Sequence, residues 1–163
     1  MIVIADSSIL IALSAIGELD LLRYRFGEII VPNAVWKETV DDAFEYPGAA
    51  NIRAALWIKV KAVQDNPLKD MLQRELDIGE AEAIELAIDL SADVVLLDEK
   101  EAREVAERLG LKPLGVIGIL FWAKKKGLIK NLKAKLDELK TKVSFWISPD
   151  LYTKILKEAG ERE

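Results

Sequence analysis

Two short apolar runs, each ending on an acid, constrain this chain more than any other feature. Residues 2 to 5 are apolar without alternation and lead into Asp6; residues 92 to 97 repeat the pattern and end on Asp98. A strand exposed on one face alternates polar and apolar residues, whereas a strand buried on both faces does not. Both runs therefore read as central strands of a parallel sheet. Helix-like segments separate them, and strands alternating with helices imply a sheet covered on both sides and joined by right-handed crossovers. The expected architecture is an α/β fold, a three-layer α/β/α sandwich around a central, mostly parallel sheet.

The rest of the chain fills in that frame. Helices are expected over residues 8 to 16 and 18 to 26, with Gly27 ending the second. Residues 28 to 31 form a second strand, stopped by Pro32, and Asn33 caps a helix running from 34 to about 43. After a turn at Pro47-Gly48 come a helix over 49 to 56 and an alternating strand over 57 to 63, which suits a sheet edge. Asn66-Pro67 opens a helix over 68 to 76, and Gly79 precedes an alanine- and leucine-rich helix over 80 to 90. Further helices are expected over 99 to 109, 116 to 123, 130 to 140 and 151 to 158, with a short strand at 111 to 114. Neither a linker nor a repeat interrupts the pattern. Residues 1–163 read as one domain, with about 141–163 as a C-terminal extension packed on it.

Composition removes whole classes of chemistry. The chain has no cysteine and no histidine. Disulfides, thiolate chemistry, serine-histidine triads, imidazole bases and histidine-rich zinc sites are thereby excluded. Hydrolytic chemistry would rest on carboxylates, lysines or hydroxyls, and carboxylates favour hard cations such as Mg²⁺ or Mn²⁺. No apolar run is long enough to cross a bilayer and no leader pattern opens the chain, which reads as a soluble, cytoplasmic protein. A net charge of −5 argues against binding nucleic acid by bulk attraction.

Four acids share a relation to this scaffold. Asp6 and Asp98 each follow a central strand and so fall at the same sheet edge, where open α/β folds bind ligands. Glu38 lies about one turn into the helix after the second strand, near that edge. Glu80 opens a long helix, with Glu82 two residues on. Each has a plainer reading: Asp6 or Asp98 as a helix cap, Glu38 as a solvated charge, Glu80 or Glu82 as complements to a helix dipole. Ser7 or Ser8 is an alternative cap for the first helix. The remaining helix acids (Glu85, Asp89, Glu101, Glu104 and Glu107) read as exposed faces. Convergence favours chemistry, because several carboxylates in one cleft repel each other unless a cation is present.

The chain resembles PIN-domain proteins, in particular the compact prokaryotic type that includes the VapC-like toxins. The resemblance rests on Ile-Val-Ile-Ala-Asp-Ser-Ser at the start and on Ile30-Val31-Pro32 through Val35 to Glu38. It continues in the Gly-Glu-Ala-Glu-Ala signature from Gly79, the Leu-Leu-Asp-Glu strand end at Asp98 and a Gly-Ile-Leu stretch at 118 to 120. It covers residues 1 to about 140. The resemblance implies a ribonuclease using Mg²⁺ or Mn²⁺, with Asp6, Glu38, Glu80 and Asp98 matching the family's four acids. Glu82 competes with Glu80 for the third place, and Ser8 matches a small polar position beside the first acid. It further implies a possible place in a toxin–antitoxin pair, with an antitoxin segment across the cleft, and a homodimer. Two features depart from the pattern. Gly115-Val116-Ile117 stands where relatives often carry threonine or serine, and glutamate rather than aspartate fills the third place.

One basic segment stands out in an acidic chain. Eight lysines from Lys124 to Lys142 face only Asp137 and Glu138. Lys124, Lys125, Lys126 and Lys130 are the candidates for contact with RNA phosphates; the alternative is a solvated helix face. Trp122 and Trp146 read as core or interface residues. Two other functions remain open. One is a catalytically weak module on the same scaffold that binds nucleic acid or protein. The other is a phosphotransfer domain with Asp6 as acceptor, disfavoured because Ser8 occupies the place of a second acid.

Overall fold

The structure, a computed structural model, describes residues 1–41 and 48–162. Strand β1 (Val3–Ala5) passes through one residue into helix α1 (Ser7–Ala15), followed by α2 (Asp20–Phe26) and β2 (Ile29–Pro32). Helix α3 (Asn33–Trp36) continues as a π-helical turn, Lys37–Asp41. Then come α4 (Ala49–Ala54), β3 (Ile58–Lys61), α5 (Pro67–Leu72), α6 (Ile78–Asp89), β4 (Val94–Leu96) and α7 (Lys100–Arg108). Strand β5 (Pro113–Leu114), α8 (Val116–Lys125), α9 (Leu132–Lys142) and α10 (Pro149–Glu158) complete the chain. The end of the helix expected to reach residue 43, and Pro47 of the expected turn, lie outside the described residues.

All five strands pair in parallel, in the order β3-β2-β1-β4-β5. The sheet is thus wholly parallel, and β3 is an edge as its alternation predicts. Strand β1 sits at the middle, with Ile4 opposite both Ile30 and Val95. Side chains alternate across the sheet. Val3, Ala5, Ile29, Val31 and Leu96 pack with α1, α2, α8, α9 and α10, while Ile4, Val95 and Leu97 pack with α6 and α7. That double burial is why β1 and β4 carry no polar alternation. The C-terminal segment contributes Ile147, Tyr152 and Leu156 to the larger core cluster, so it closes one layer of the sandwich.

From β1 the chain runs outward to β2 and β3, then returns to the other side for β4 and β5. The reversal leaves a crevice beyond the carboxyl ends of β1 and β4, the position where open α/β sheets bind ligands. Asp6 leaves β1 there, its amide donating to the Leu96 carbonyl at 3.0 Å, and Asp98 lies two residues beyond that carbonyl.

Candidate active site

Asp6 stands at the N-cap of α1 but makes no side-chain capping hydrogen bond, so its carboxylate is left to other partners. It is 3 % exposed. The Ser7 hydroxyl lies 2.9 Å from Glu38 Oε2 and 3.4 Å from Asp6 Oδ1, bridging the two acids. Ser8 Oγ reaches Asp6 Oδ2 at 3.4 Å. Neither serine serves as a cap. Ser7, whose only sequence signal is its place directly after the acid, is the link that draws Glu38 to Asp6.

Glu38 arrives on the π-helical turn after α3. The buried Thr39 hydroxyl donates to the Val35 carbonyl at 2.8 Å, a back-bond of the kind that loosens the regular α-helical ladder. Such turns gather at functional sites because they re-aim one side chain. Here Glu38 is turned toward α6.

Gly79 makes that approach possible. Helix α6 begins at Ile78 with Asp77 as its cap, so Gly79 is inside the helix and not before it. A Cβ at this position would lie 2.6 Å from Glu38 Oε1 and 3.3 Å from Asp6 Oδ1. The missing side chain is the space the two carboxylates use. Gly79→Ala is expected to displace Glu38 and lower any activity that uses the two acids together at least ~10-fold, on the scale of removing a supporting interaction at a functional site. It leaves the melting temperature equal or higher, because alanine favours a helix interior by about 0.5–1 kcal/mol. Thermal melts and an activity assay on one preparation check both halves.

Glu80 is buried and completes a capping box: Asp77 Oδ1 accepts the Glu80 amide at 2.8 Å, and Glu80 Oε1 accepts the Asp77 amide at 3.2 Å. Its dipole-related role is thus real, and its charge also bears on Asp6. Glu82 is turned elsewhere. One oxygen accepts the Ala34 amide at 3.2 Å and the other pairs with the buried Lys69 ammonium at 3.1 Å. Between the two glutamates, Glu80 belongs with the acids and Glu82 joins α6 to α3 and α5. Glu85, expected on an exposed face, is also buried and accepts from the Asn66 side chain.

Asp98 does not cap the helix that follows it. Its Oδ1 accepts the Val116 amide at 2.9 Å, placing the carboxylate at the start of α8, where the helix dipole favours negative charge. Gly115 gives it room: a Cβ there would fall 2.7 Å from Asp98 Oδ1 and 3.1 Å from Arg103 Nη1. The second oxygen, Oδ2, is buried without a hydrogen-bond partner. Buried polar atoms are normally satisfied, so this oxygen is placed to accept from a water, an ion or a substrate group. Arg103, five residues into the chain from Asp98, supplies a positive charge beside it. No sequence motif points to that arginine.

Burial dominates the electrostatics. It pushes Asp6 up to about 7 and Glu80 to about 7, the latter helped by the neighbouring Asp77 charge. It raises Asp98 to about 6 against the opposing Val116 amide and Arg103. A carboxyl with a raised folded pKa binds more protons folded than unfolded between the two values, so stability falls as pH rises through that window. For Asp6 the window runs from about 4 to about 7. Between about pH 5.5 and pH 8 this group alone removes about 2 kcal/mol, which lowers the metal-free melting temperature by roughly 4–8 °C. Calorimetric melts in a chelating buffer check the sign.

The lysine segment lies apart from these acids. Asp98 is bonded to the first amide of α8, whereas Lys124 and Lys125 are at its last turn, roughly 12–14 Å along the axis. Lys124 pairs with Glu161 at 3.0 Å and donates to the Lys130 carbonyl; Lys125 donates to the Glu158 carbonyl at 3.0 Å. These two tie the C-terminal residues down, while Lys126 and Lys130 are exposed. Trp122 packs half-buried against the core under Arg25, but Trp146 is 78 % exposed and thus no core residue.

Asp6 lies with Glu38 and Glu80 beyond the carboxyl end of β1, and Asp98 beyond that of β4, where it shares a cavity wall with Ser7 and Ser8. The family model described as DUF3368: PIN domain matches residues 2–161, and the chain belongs to that PIN-domain family. The match reaches about twenty residues past the stretch that carries the sequence resemblance and takes in the C-terminal helix. PIN domains are generally nucleases and typically use divalent metal ions. No curated protein and no solved structure matches the chain. Among the described residues no helix is long and apolar enough to cross a membrane.

Proposed function

We propose that the chain is a metal-dependent ribonuclease that hydrolyses RNA phosphodiester bonds at the crevice between β1 and β4. The observation that carries this is the orphaned, buried Asp98 Oδ2 beside the coupled Asp6–Ser7–Glu38 group. The donor chemistry fits a hard cation, since every donor is a carboxylate oxygen. Among the described residues no three carboxylates already enclose an ion-sized space. Mg²⁺ and Mn²⁺ keep several waters, so one or two of the four acids would bind such an ion directly and the others through its waters.

Asp6, Glu38, Glu80 and Asp98 would hold the ion. When bound, it supplies a more acidic water and offsets negative charge at phosphorus. The protein's own residues do the positioning. Ser7 holds the Glu38 carboxylate toward Asp6, the α8 amide of Val116 fixes Asp98, and Arg103 offers a positive charge to a phosphate beside it. Hydrolysis by water needs no covalent intermediate, which accords with a chain lacking histidine and cysteine.

A second reading has its own observation. Glu80 spends one oxygen on its helix cap and Glu82 is bound to Lys69, which leaves fewer acids for chemistry than the sequence contains. On that reading the domain binds nucleic acid or protein without cleaving. The test is incubation with a single-stranded RNA in Mg²⁺ or Mn²⁺. The nuclease reading expects cleavage that EDTA stops and that Asp98→Asn abolishes. Intact RNA under all conditions, or cleavage untouched by Asp98→Asn, contradicts it.

A further inference from the structure

Beside the acids lies a cavity of about 610 Å³ whose wall includes Ser7, Ser8, Asp98, Lys100, Phe145 and Trp146. It is continuous with the candidate site, because three of those residues belong to it. Its outer wall is the segment between α9 and α10. That segment is anchored by Ile147, which is buried, yet it leaves the neighbouring indole almost wholly in solvent. The exposed indole shares the cavity wall with Asp98 and the two serines, so a flat ligand group on that wall would meet both.

We infer that Trp146 is a nucleotide-binding residue, stacking one base of a single-stranded RNA whose backbone lies across Asp98 and the serines. The inference rests on the nuclease reading and adds a base contact to it. Single strands are held by aromatic platforms on which any base can stack, together with positive charge along the backbone. Trp146 supplies the platform and Lys100, exposed at the rim and only loosely paired with Glu104 at 4.0 Å, supplies the charge. The lining argues against a second copy of the chain as occupant. Protein interface cores are depleted of charged residues, whereas this wall sets Asp98, Glu99 and Lys100 beside its apolar members Ile11, Val143 and Phe145. A base with its phosphate suits such a mixed wall.

The test uses the intact protein in low-salt buffer containing EDTA, titrated with a short single-stranded oligoribonucleotide. Tryptophan emission and the oligonucleotide's anisotropy are read together, and cleavage of the same RNA in Mn²⁺ is measured separately. Binding by the natural protein is expected to quench part of the emission. Trp146→Ala should bind roughly 10-fold more weakly or worse, while Trp146→Phe stays within ~3-fold but loses the quench. Melting temperatures of both variants should match the parent, since the side chain is exposed. If the parent binds and cleaves RNA and Trp146→Ala does so equally well, the inference is wrong and the nuclease reading stands. If the parent neither binds nor cleaves RNA, both are wrong. A parent that sediments as a dimer, becomes monomeric in Trp146→Ala and binds RNA unchanged assigns the indole to a protein interface and overturns the inference.

Discussion

Asp6→Asn is expected to abolish RNA cleavage while making the metal-free protein more stable. The two effects have one cause. Asp6 is 3 % exposed, and burial lifts its carboxyl to about 7, so its ionised form is held in the protein at a cost. Asparagine keeps the shape and removes the charge. At about pH 8 the metal-free variant should gain about 4 kcal/mol, or roughly 8–16 °C in melting temperature, because the charge is removed across the whole window from about 4 to about 7. Activity should fall by at least ~10²–10³-fold, the scale seen when one preorganised group is lost from a site that stabilises developing charge. A purely structural Asp6, such as a helix cap, predicts the opposite pattern: lower stability and no specific loss of cleavage. Melts and cleavage rates on the same variant separate the two.

The second large effect falls on stability. Glu82→Ala strands the Lys69 ammonium in a site where Lys69 is 8 % exposed, with only the solvent-facing Asp65 left as its partner. Removing one member of a buried ion pair costs about 3–5 kcal/mol, because the other charge stays desolvated. The expected drop in melting temperature is roughly 10 °C. The double variant Lys69→Met with Glu82→Leu should recover most of it, as paired replacement by apolar residues often does. Glu80→Gln should behave in the reverse way. Glutamine serves in a capping box, so stability holds, while cleavage drops with the lost carboxylate. Equal losses of stability in Glu80→Gln and Glu82→Ala would mean that the two glutamates share one structural role.

The sheet was legible because burial on both faces leaves a direct mark on composition. Residues 2 to 5 and 94 to 97 could not alternate, and the strand order that follows puts Asp6 and Asp98 at one edge. What sequence periodicity could not show were contacts made across elements. Asp98 looks like a cap for α7, yet its oxygen is taken by the first amide of α8, eighteen residues on. Gly79 looks like a helix boundary, yet its work is to leave space for Glu38 and Asp6 inside the helix. Glu82 looks as available as Glu80 until Lys69, thirteen residues earlier in sequence, is folded against it.

The placement of Lys124, Lys125 and Trp146 was not legible in the sequence for a related reason. Charge counted along the chain between Lys124 and Lys142 ignores where the helix ends point. The start of α8 faces the acids and its last turn faces the C-terminal residues, so Lys124 and Lys125 meet Glu161 and the Glu158 carbonyl. Trp146 shares its segment with the buried Ile147, and neighbours in an irregular segment point in different directions. Its exposure depends on that local path, which no spacing rule encodes.

The central claim is that Asp6 and its neighbours hold a divalent cation. Calorimetric titration of Mn²⁺ into the natural protein and into Asp6→Asn, at a pH above about 7 where these carboxyls are ionised, tests it most directly. The account predicts a binding isotherm for the natural protein and none for the variant, with both folded by circular dichroism. Equal isotherms, or none in either protein, would contradict it.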